Sequence, residues 1–147
     1  MPEGTWAMQI IIDTNVLISA ALSPDGPPAK LLAKVLTDHR VVFTTATFAE
    51  LESRIWKPKF DRYINLEERK TVLHDLSAAA IWVEVPQSIA NATYSRDAED
   101  DMFIQAAIAA EAILLVTGNQ DLLVLAKSMN DSHKLVICKP AYALGLV

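Results

Sequence analysis

Along this 147-residue chain, short apolar runs alternate with longer stretches in which apolar residues recur every three or four positions. QIII (9–12), RVVFTT (40–45), IWVEV (81–85), AILLVT (112–117) and KLVIC (134–138) are the short runs. Runs of this length, rich in Val, Ile and Leu, read as strands covered on both faces. Helical material follows the first run and is interrupted by the loop SPDGPP (23–28). A helix is expected over 29–38, where Leu31, Leu32, Val35 and Leu36 share a face. Another is expected over 47–56, with Phe48, Leu51 and Ile55 on one side, until Pro58 breaks it. Residues 65–80 begin with Asn65 as a cap and acids in the first turn. Further helices are expected over 96–112, over 119–129 and after Pro140, while 87–95 shows no firm period.

Strands alternating with helices imply a three-layer α/β/α sandwich around a mainly parallel, roughly five-stranded sheet. No internal repeat, low-complexity tract or linker interrupts the pattern. We therefore expect one domain over 8–147, preceded by an N-terminal extension over 1–7. In open sheets of this kind, ligands sit beyond the carboxyl ends of the strands.

Composition narrows the class. Hydrophobic residues make up 52% and charged residues 21%, which argues for a packed core and against disorder. The net charge of −5 speaks against a simple basic nucleic-acid binder, but not against an enzyme whose acids are neutralised by cations in one pocket. A single cysteine, Cys138, forms no internal disulfide and reads as a small apolar residue on a strand. His39, His74 and His133 lie among polar neighbours with no pairing at zinc-ligand spacing, so all three are expected to be solvated. The start of the chain lacks the basic and apolar regions of a signal peptide, and no apolar run approaches the ~20 residues that cross a bilayer. The expectation is a soluble, cytoplasmic protein with no membrane partner.

The acids fall where the strand-end rule puts a site. Asp13 ends the first strand; Glu50 lies early in the helix after the second. Asp97, Glu99, Asp100 and Asp101 open the helix before the fourth strand, and Asn119 and Asp121 follow that strand. Each has a plainer alternative. Asp97 and Asp121 could cap helices, the first-turn acids could answer the helix dipole, and Glu50 could be an ordinary helix position. Asp13 is harder to explain that way, because apolar residues flank it and a buried carboxylate is costly without a partner. Clustered carboxylates repel and raise one another's pKa unless cations bind. Oxygen ligands without His or Cys suit Mg²⁺ or Mn²⁺, and such ions commonly act on phosphodiesters.

Four segments, IIIDTNVLISAALSPDGPPAKLL, TFAELESRIWKPKF, RDAEDDMFIQAA and LLVTGNQDLL, occur in an order and spacing that resembles a PIN-domain protein. More narrowly, the chain is similar to the PIN-family toxins of bacterial toxin–antitoxin systems, relatives of the VapC toxins. The likeness runs from about Met8 to the C-terminus. It implies a metal-dependent endoribonuclease acting on single-stranded RNA, with a cognate antitoxin as partner and homodimerisation. Carried over by position, Asp13 matches the first family acid, Glu50 the second, and Asp101 the third, which begins an Asp-x-x-hydrophobic helix start. Asp100, one residue away, is then expected to point elsewhere, and Asp97 to support or cap. Where relatives commonly read Thr-Gly-Asp-x-Asp, this chain has Thr117-Gly118-Asn119-Gln120-Asp121. The resemblance makes Asn119 an uncharged oxygen ligand that Asp121 compensates.

On that reading Asp13, Glu50 and Asp101, with Asp121 or Asn119, hold one or two divalent ions, and Thr14, Asn15 and Thr117 orient ligands or waters. RNA needs a local basic surface. The segment from Arg54 to Lys70 supplies one: Arg54, Lys57, Lys59, Arg62, Arg69 and Lys70, interleaved with Trp56, Phe60 and Tyr63. Of the aromatics, Trp56 and Phe60 are expected to pack inward. Two alternatives stay open: a housekeeping PIN nuclease of RNA processing, and a PIN module that binds RNA or protein without cutting. A haloacid-dehalogenase-type phosphatase fits less well, since its Asp-x-Asp start is Asp13-Thr14-Asn15 here.

Overall fold

In the computed structural model, which describes residues 7–147, five parallel strands form one sheet. The expected extension over 1–7 lies, as far as residue 6, outside the described residues. The strands are β1 (Gln9–Ile12), β2 (Arg40–Phe43), β3 (Ile81–Trp82), β4 (Leu114–Val116) and β5 (Val136–Cys138), in the spatial order β3-β2-β1-β4-β5. The helices are α1 (Thr14–Leu22), α2 (Pro27–Asp38), α3 (Thr45–Ile55), α4 (Leu66–Ala79), α5 (Gln87–Ala90), α6 (Asp101–Ala110), α7 (Gln120–Leu123), α8 (Ala126–His133) and α9 (Pro140–Leu144).

Strand parity builds the three layers. Successive side chains of a strand point to opposite faces. Ile10, Ile12, Val41, Phe43, Leu114, Val116 and Cys138 pack on one face against Val16 and Leu17 of α1, Leu31 and Val35 of α2, Leu51 of α3, Leu76 of α4 and Ala143 of α9. Ile11, Val42, Leu115 and Ile137 turn to the other, against Phe103, Ile104 and Ala107 of α6, Leu122 of α7 and Met129 of α8. The expected α/β/α sandwich and parallel sheet are what the chain adopts. Because both faces are covered, the strands read as unbroken apolar runs rather than alternating ones.

Some elements depart from expectation. β3 is shorter than the run 81–85: the ladder ends once Val83 N–H donates to the Phe43 carbonyl at 3.0 Å. Glu84 and Val85 then line a cavity of about 410 Å³ with Thr44 and Gln105 instead of pairing. The helix expected over 119–129 is divided into α7 and α8. Residues 98–100, expected to start a helix, form a separate 3₁₀ turn ahead of α6. His39 is buried, against the expectation of solvation; its Nδ1 accepts the Met8 N–H at 3.0 Å, across the gap leading into β1. No helix among the described residues is long and apolar enough to cross a membrane.

Candidate metal centre

The chain runs from β1 outward to β2 and β3, then crosses to β4 on the other side of β1. The β1–β4 boundary is therefore the topological switch point, where loops diverge and leave a crevice at the carboxyl ends. Asp13 sits there. Its N–H donates to the Val116 carbonyl at 2.9 Å, extending the β1–β4 ladder by one bond, and its own carbonyl accepts the first turn of α1 from Val16 and Leu17. Only 5% of Asp13 is exposed. Thr117, fully buried at the end of β4, donates its hydroxyl to Asp13 Oδ2 at 2.7 Å and accepts the Asn119 N–H at 2.9 Å. Burial pushes the Asp13 carboxyl above its ordinary pKa; the Thr117 hydroxyl, the N–H groups of Thr14 and Asn15, and the Arg54 charge each offset this. Thr14 is buried with its own hydroxyl unpartnered.

The turn before α6 brings in the next acids. Asp97, Asp100 and Asp121 each offer a carboxylate oxygen, all within 4.8 Å of one another. Asp97 also acts as the expected cap, accepting the Glu99 N–H at 3.0 Å. Asp100 and Asp101 are placed opposite to expectation. Asp100 joins the cluster, while Asp101 is buried with its Oδ1 accepting the Ser95 N–H at 2.6 Å. The two residues sit either side of a change of winding: Asp100 closes the 3₁₀ turn and Asp101 opens α6. Asp100 Oδ2 is shut from solvent without a hydrogen-bond partner, although the residue as a whole is only partly buried. Desolvation pushes the Asp100 carboxyl above its usual range. The Asn119 side chain offsets this, and the charges of Asp97, Asp13 and Asp121 add to it.

Asn119 acts in two ways. Its Oδ1 accepts the Asp121 N–H at 2.9 Å, capping α7, and its side chain lowers the Asp100 pKa, partly offsetting the desolvation. An Asp in its place would add a fifth charge near Asp13, Asp97, Asp100 and Asp121; the Asn keeps the cap and supplies a donor instead.

Glu50 comes from α3. Thr44, directly after β2, caps α3 by accepting the Thr47 N–H at 3.1 Å, while Thr47 Oγ1 accepts the Thr44 N–H at 2.9 Å. That reciprocal box fixes the helix start from which Glu50 projects. Glu50 is ion-paired with Arg54, whose guanidinium also donates to Asn15 Oδ1 at 3.4 Å. Glu50 is thus tied to the Asp13 segment through Arg54, outside the group formed by Asp97, Asp100 and Asp121.

The basic segment is divided in role. Asn15, Arg54, Lys57, Lys59 and Phe60 line one cleft beside Asp13, and Arg62 is exposed near it in sequence. Arg69 is instead buried and structural. It donates to the carbonyls of Ile55 at 2.7 Å and Lys57 at 3.3 Å, pairs with Asp61 at 3.0 Å, and lies over the Trp56 ring. Trp56, expected to pack inward, is 38% exposed because its ring covers Arg69 rather than the core; Phe60 is half-buried against the α-side core. Sequence reasoning passed over Arg96, which is ion-paired with Asp121, and Ser95, which anchors Asp101. The only signal for Arg96 was its place ahead of the acidic run.

The donor set brought together among the described residues is three carboxylates, the chemistry of a hard divalent cation. The orphaned Asp100 Oδ2 and the mutual repulsion of these acids are both relieved by such an ion, so the residues fit one.

Comparison with known proteins agrees with this architecture. Residues 9–121 match the PIN domain family. The uncharacterized protein MJ1680 of Methanocaldococcus jannaschii is 31% identical over 128 residues, covering 86% of this chain and 78% of its own. Among solved structures, VapBC2 from Rickettsia felis, bound to a DNA fragment from its promoter, aligns at TM-score 0.55 and 14% identity over 88% of this chain and 97% of that one. VapBC-1 from nontypeable Haemophilus influenzae aligns at 0.57 and 17% identity over 91% and 99%. The structural likeness is one of fold, and the sequence match carries the assignment: the chain belongs to the PIN-domain family.

Proposed function

We propose that this PIN-domain protein is a divalent-metal-dependent endoribonuclease of single-stranded RNA, acting as the toxin of a toxin–antitoxin pair. The observation that carries the reading is the acid row at the β1–β4 switch point, with a buried, unpartnered carboxylate oxygen on Asp100. Asp13, Asp100 and Asp121 would hold Mg²⁺ or Mn²⁺, with Asp97 beside them and Glu50 available from the Arg54 side. A bound ion of this class acidifies a water and neutralises charge on a phosphodiester.

The chain's own groups supply the rest. Thr117 orients Asp13 by its hydroxyl and offsets part of the rise in pKa that burial causes. Asn119 caps the turn that carries Asp121, and Asp101 braces the turn ahead of α6 through Ser95. The cleft of Asn15, Arg54, Lys57 and Lys59, with Arg62 nearby, offers cations to the RNA backbone of an otherwise acidic protein.

An antitoxin partner is supported by the VapBC assemblies that share the fold. It is also supported by an apolar groove of about 290 Å³ lined by Leu17, Ala21, Leu32, Leu36 and Val72, surface that a partner's apolar side chains would cover. Homodimerisation is part of the same proposal.

The test is cleavage of generic single-stranded RNA with Mg²⁺ or Mn²⁺, and with EDTA, for the wild type and for Asp13→Asn at matched circular dichroism. Metal-dependent cleavage lost in the variant is expected. Cleavage that survives in Asp13→Asn rejects the site. A wild type that binds RNA without cutting it supports the non-cleaving module instead.

A further inference from the structure

The two acids at the ends of the site, Glu50 and Asp121, are each ion-paired with an arginine of the same chain, Arg54 and Arg96. The arginine side chains are 41% and 62% exposed, while their acids are less so, 26% and 31%. Arg54 contacts Asn15, two residues beyond Asp13, and Arg96 immediately precedes Asp97. The two guanidinium groups therefore meet the site through different segments, Arg54 from α3 beside Asn15 and Arg96 from the stretch that leads into the acidic turn.

We infer that Arg54 and Arg96 are exchangeable counter-ions. Each neutralises a carboxylate while no divalent ion is bound, and each passes to a phosphate of the RNA backbone when metal takes up the carboxylate. This rests on the nuclease reading above and adds Arg96 as a phosphate contact and the exchange that frees both arginines.

Three arguments support the exchange. Exposed ion pairs contribute little to stability, so parting them is inexpensive. Both new partners are better: a divalent cation for the carboxylate, and for the arginine a phosphate that can be held by two parallel N–H bonds. Charge also balances, since the acid row gains the ion's two positive charges as the arginines are released to the polyanion. A chain of net charge −5 needs cations at that edge to admit RNA at all. Lys57 and Lys59 continue the cationic track on the Arg54 side.

The consequence is a pair of opposite effects. Arg54→Met and Arg96→Met should each raise Mn²⁺ affinity about fivefold in the absence of RNA, because a competitor for the carboxylate is gone. Each should lower affinity for a fluorescent 2′-O-methyl 12-mer, measured by anisotropy with Mn²⁺ present, and reduce its log–log salt slope by about 0.7. Arg54→Lys and Arg96→Lys should restore the salt slope while leaving affinity short of wild type. Mn²⁺ binding is read by electron paramagnetic resonance, and folding by thermal denaturation. Mn²⁺ affinity that falls or stays constant in the Met variants overturns the exchange, and an unchanged salt slope overturns the phosphate contact. A folded wild type that binds no Mn²⁺ defeats the nuclease reading itself. A wild type that binds and cleaves, with arginine variants that alter neither quantity, defeats this inference alone.

Discussion

Thr117 and Asp13 lie 104 positions apart in the chain, and their side chains meet at 2.7 Å at the boundary between β4 and β1. Both are nearly sealed from water, and among the described residues the Thr117 hydroxyl is the side chain that donates to the Asp13 carboxylate. The same hydroxyl accepts from Asn119 N–H, which passes the position of β1 on to the turn carrying Asn119 and Asp121. A single oxygen thus couples the first acid of the site to the last.

That coupling predicts the behaviour of Thr117→Val, which keeps the shape and removes the donor. The buried carboxylate loses a charge-assisted bond and the Asn119 N–H loses its acceptor, a cost of about 1–3 kcal/mol. Urea denaturation should show the loss at neutral pH in EDTA. Mn²⁺ affinity should also fall, because Asp13 becomes harder to ionise and is less well oriented. A Thr117→Ser variant, which retains the hydroxyl, should restore most of both.

Asp100 and Asp101 should separate cleanly. Asp100→Asn removes a charge from a crowded row and gives no structural bond away, so stability should be unchanged or higher while Mn²⁺ affinity drops at least tenfold. Asp101→Asn keeps an oxygen for Ser95 N–H but weakens a charge-assisted bond, and Asp101→Ala deletes it. The alanine variant should lose about 1–3 kcal/mol. Paired denaturation curves and Mn²⁺ titrations decide; the reverse ordering would restore Asp101 as the ligand.

These two residues also show where sequence stops being legible. The sheet could be read because both its faces are covered: QIII and AILLVT could only be buried strands, and the turn residues between runs marked the crossovers. Asp13 stood out because a charge amid apolar residues demands a partner. Asp100 closes a tight turn at Ala98–Asp100 and Asp101 opens α6, a division that the reading of 96–112 as one helix does not contain. His39 and Arg69 were misjudged for a related reason. Their partners are backbone groups, the Met8 N–H and the carbonyls of Ile55 and Lys57, which become neighbours only after folding. Arg96 escaped notice because its meaning lies in its pairing with Asp121, 25 positions on.

Cys138 offers a check on the core that does not involve the site. Burial raises its thiol to about 11 from an ordinary 9.0, because the thiolate would lose its hydration under the α1-side helices. In the folded protein it should therefore resist a disulfide reagent at pH 8 and react at once in urea. The sign of the linkage follows. Between pH 9.0 and about 11 the unfolded chain releases a proton that the folded chain keeps, so this residue's contribution to stability is present below that window and lost across it. Cys138→Ala should flatten that part of the stability curve, which a denaturation series from pH 8 to 11 would show.

Arg69 carries the last prediction. It is 5% exposed, and its guanidinium closes the end of α3 by holding the Ile55 carbonyl, the Lys57 carbonyl and Asp61 while Trp56 covers it. Arg69→Met preserves much of the apolar stem but leaves two carbonyls without that donor, for a loss of about 2–4 kcal/mol. Because the segment it pins carries Lys57 and Lys59, the variant should also weaken RNA binding without altering Mn²⁺ affinity, since no carboxylate of the acid row touches Arg69. Restoring stability with a second-site change far from the segment separates the two effects. If RNA affinity returns with stability, Arg69 acts through global folding alone; if it stays low, the buried arginine shapes the cationic cleft directly.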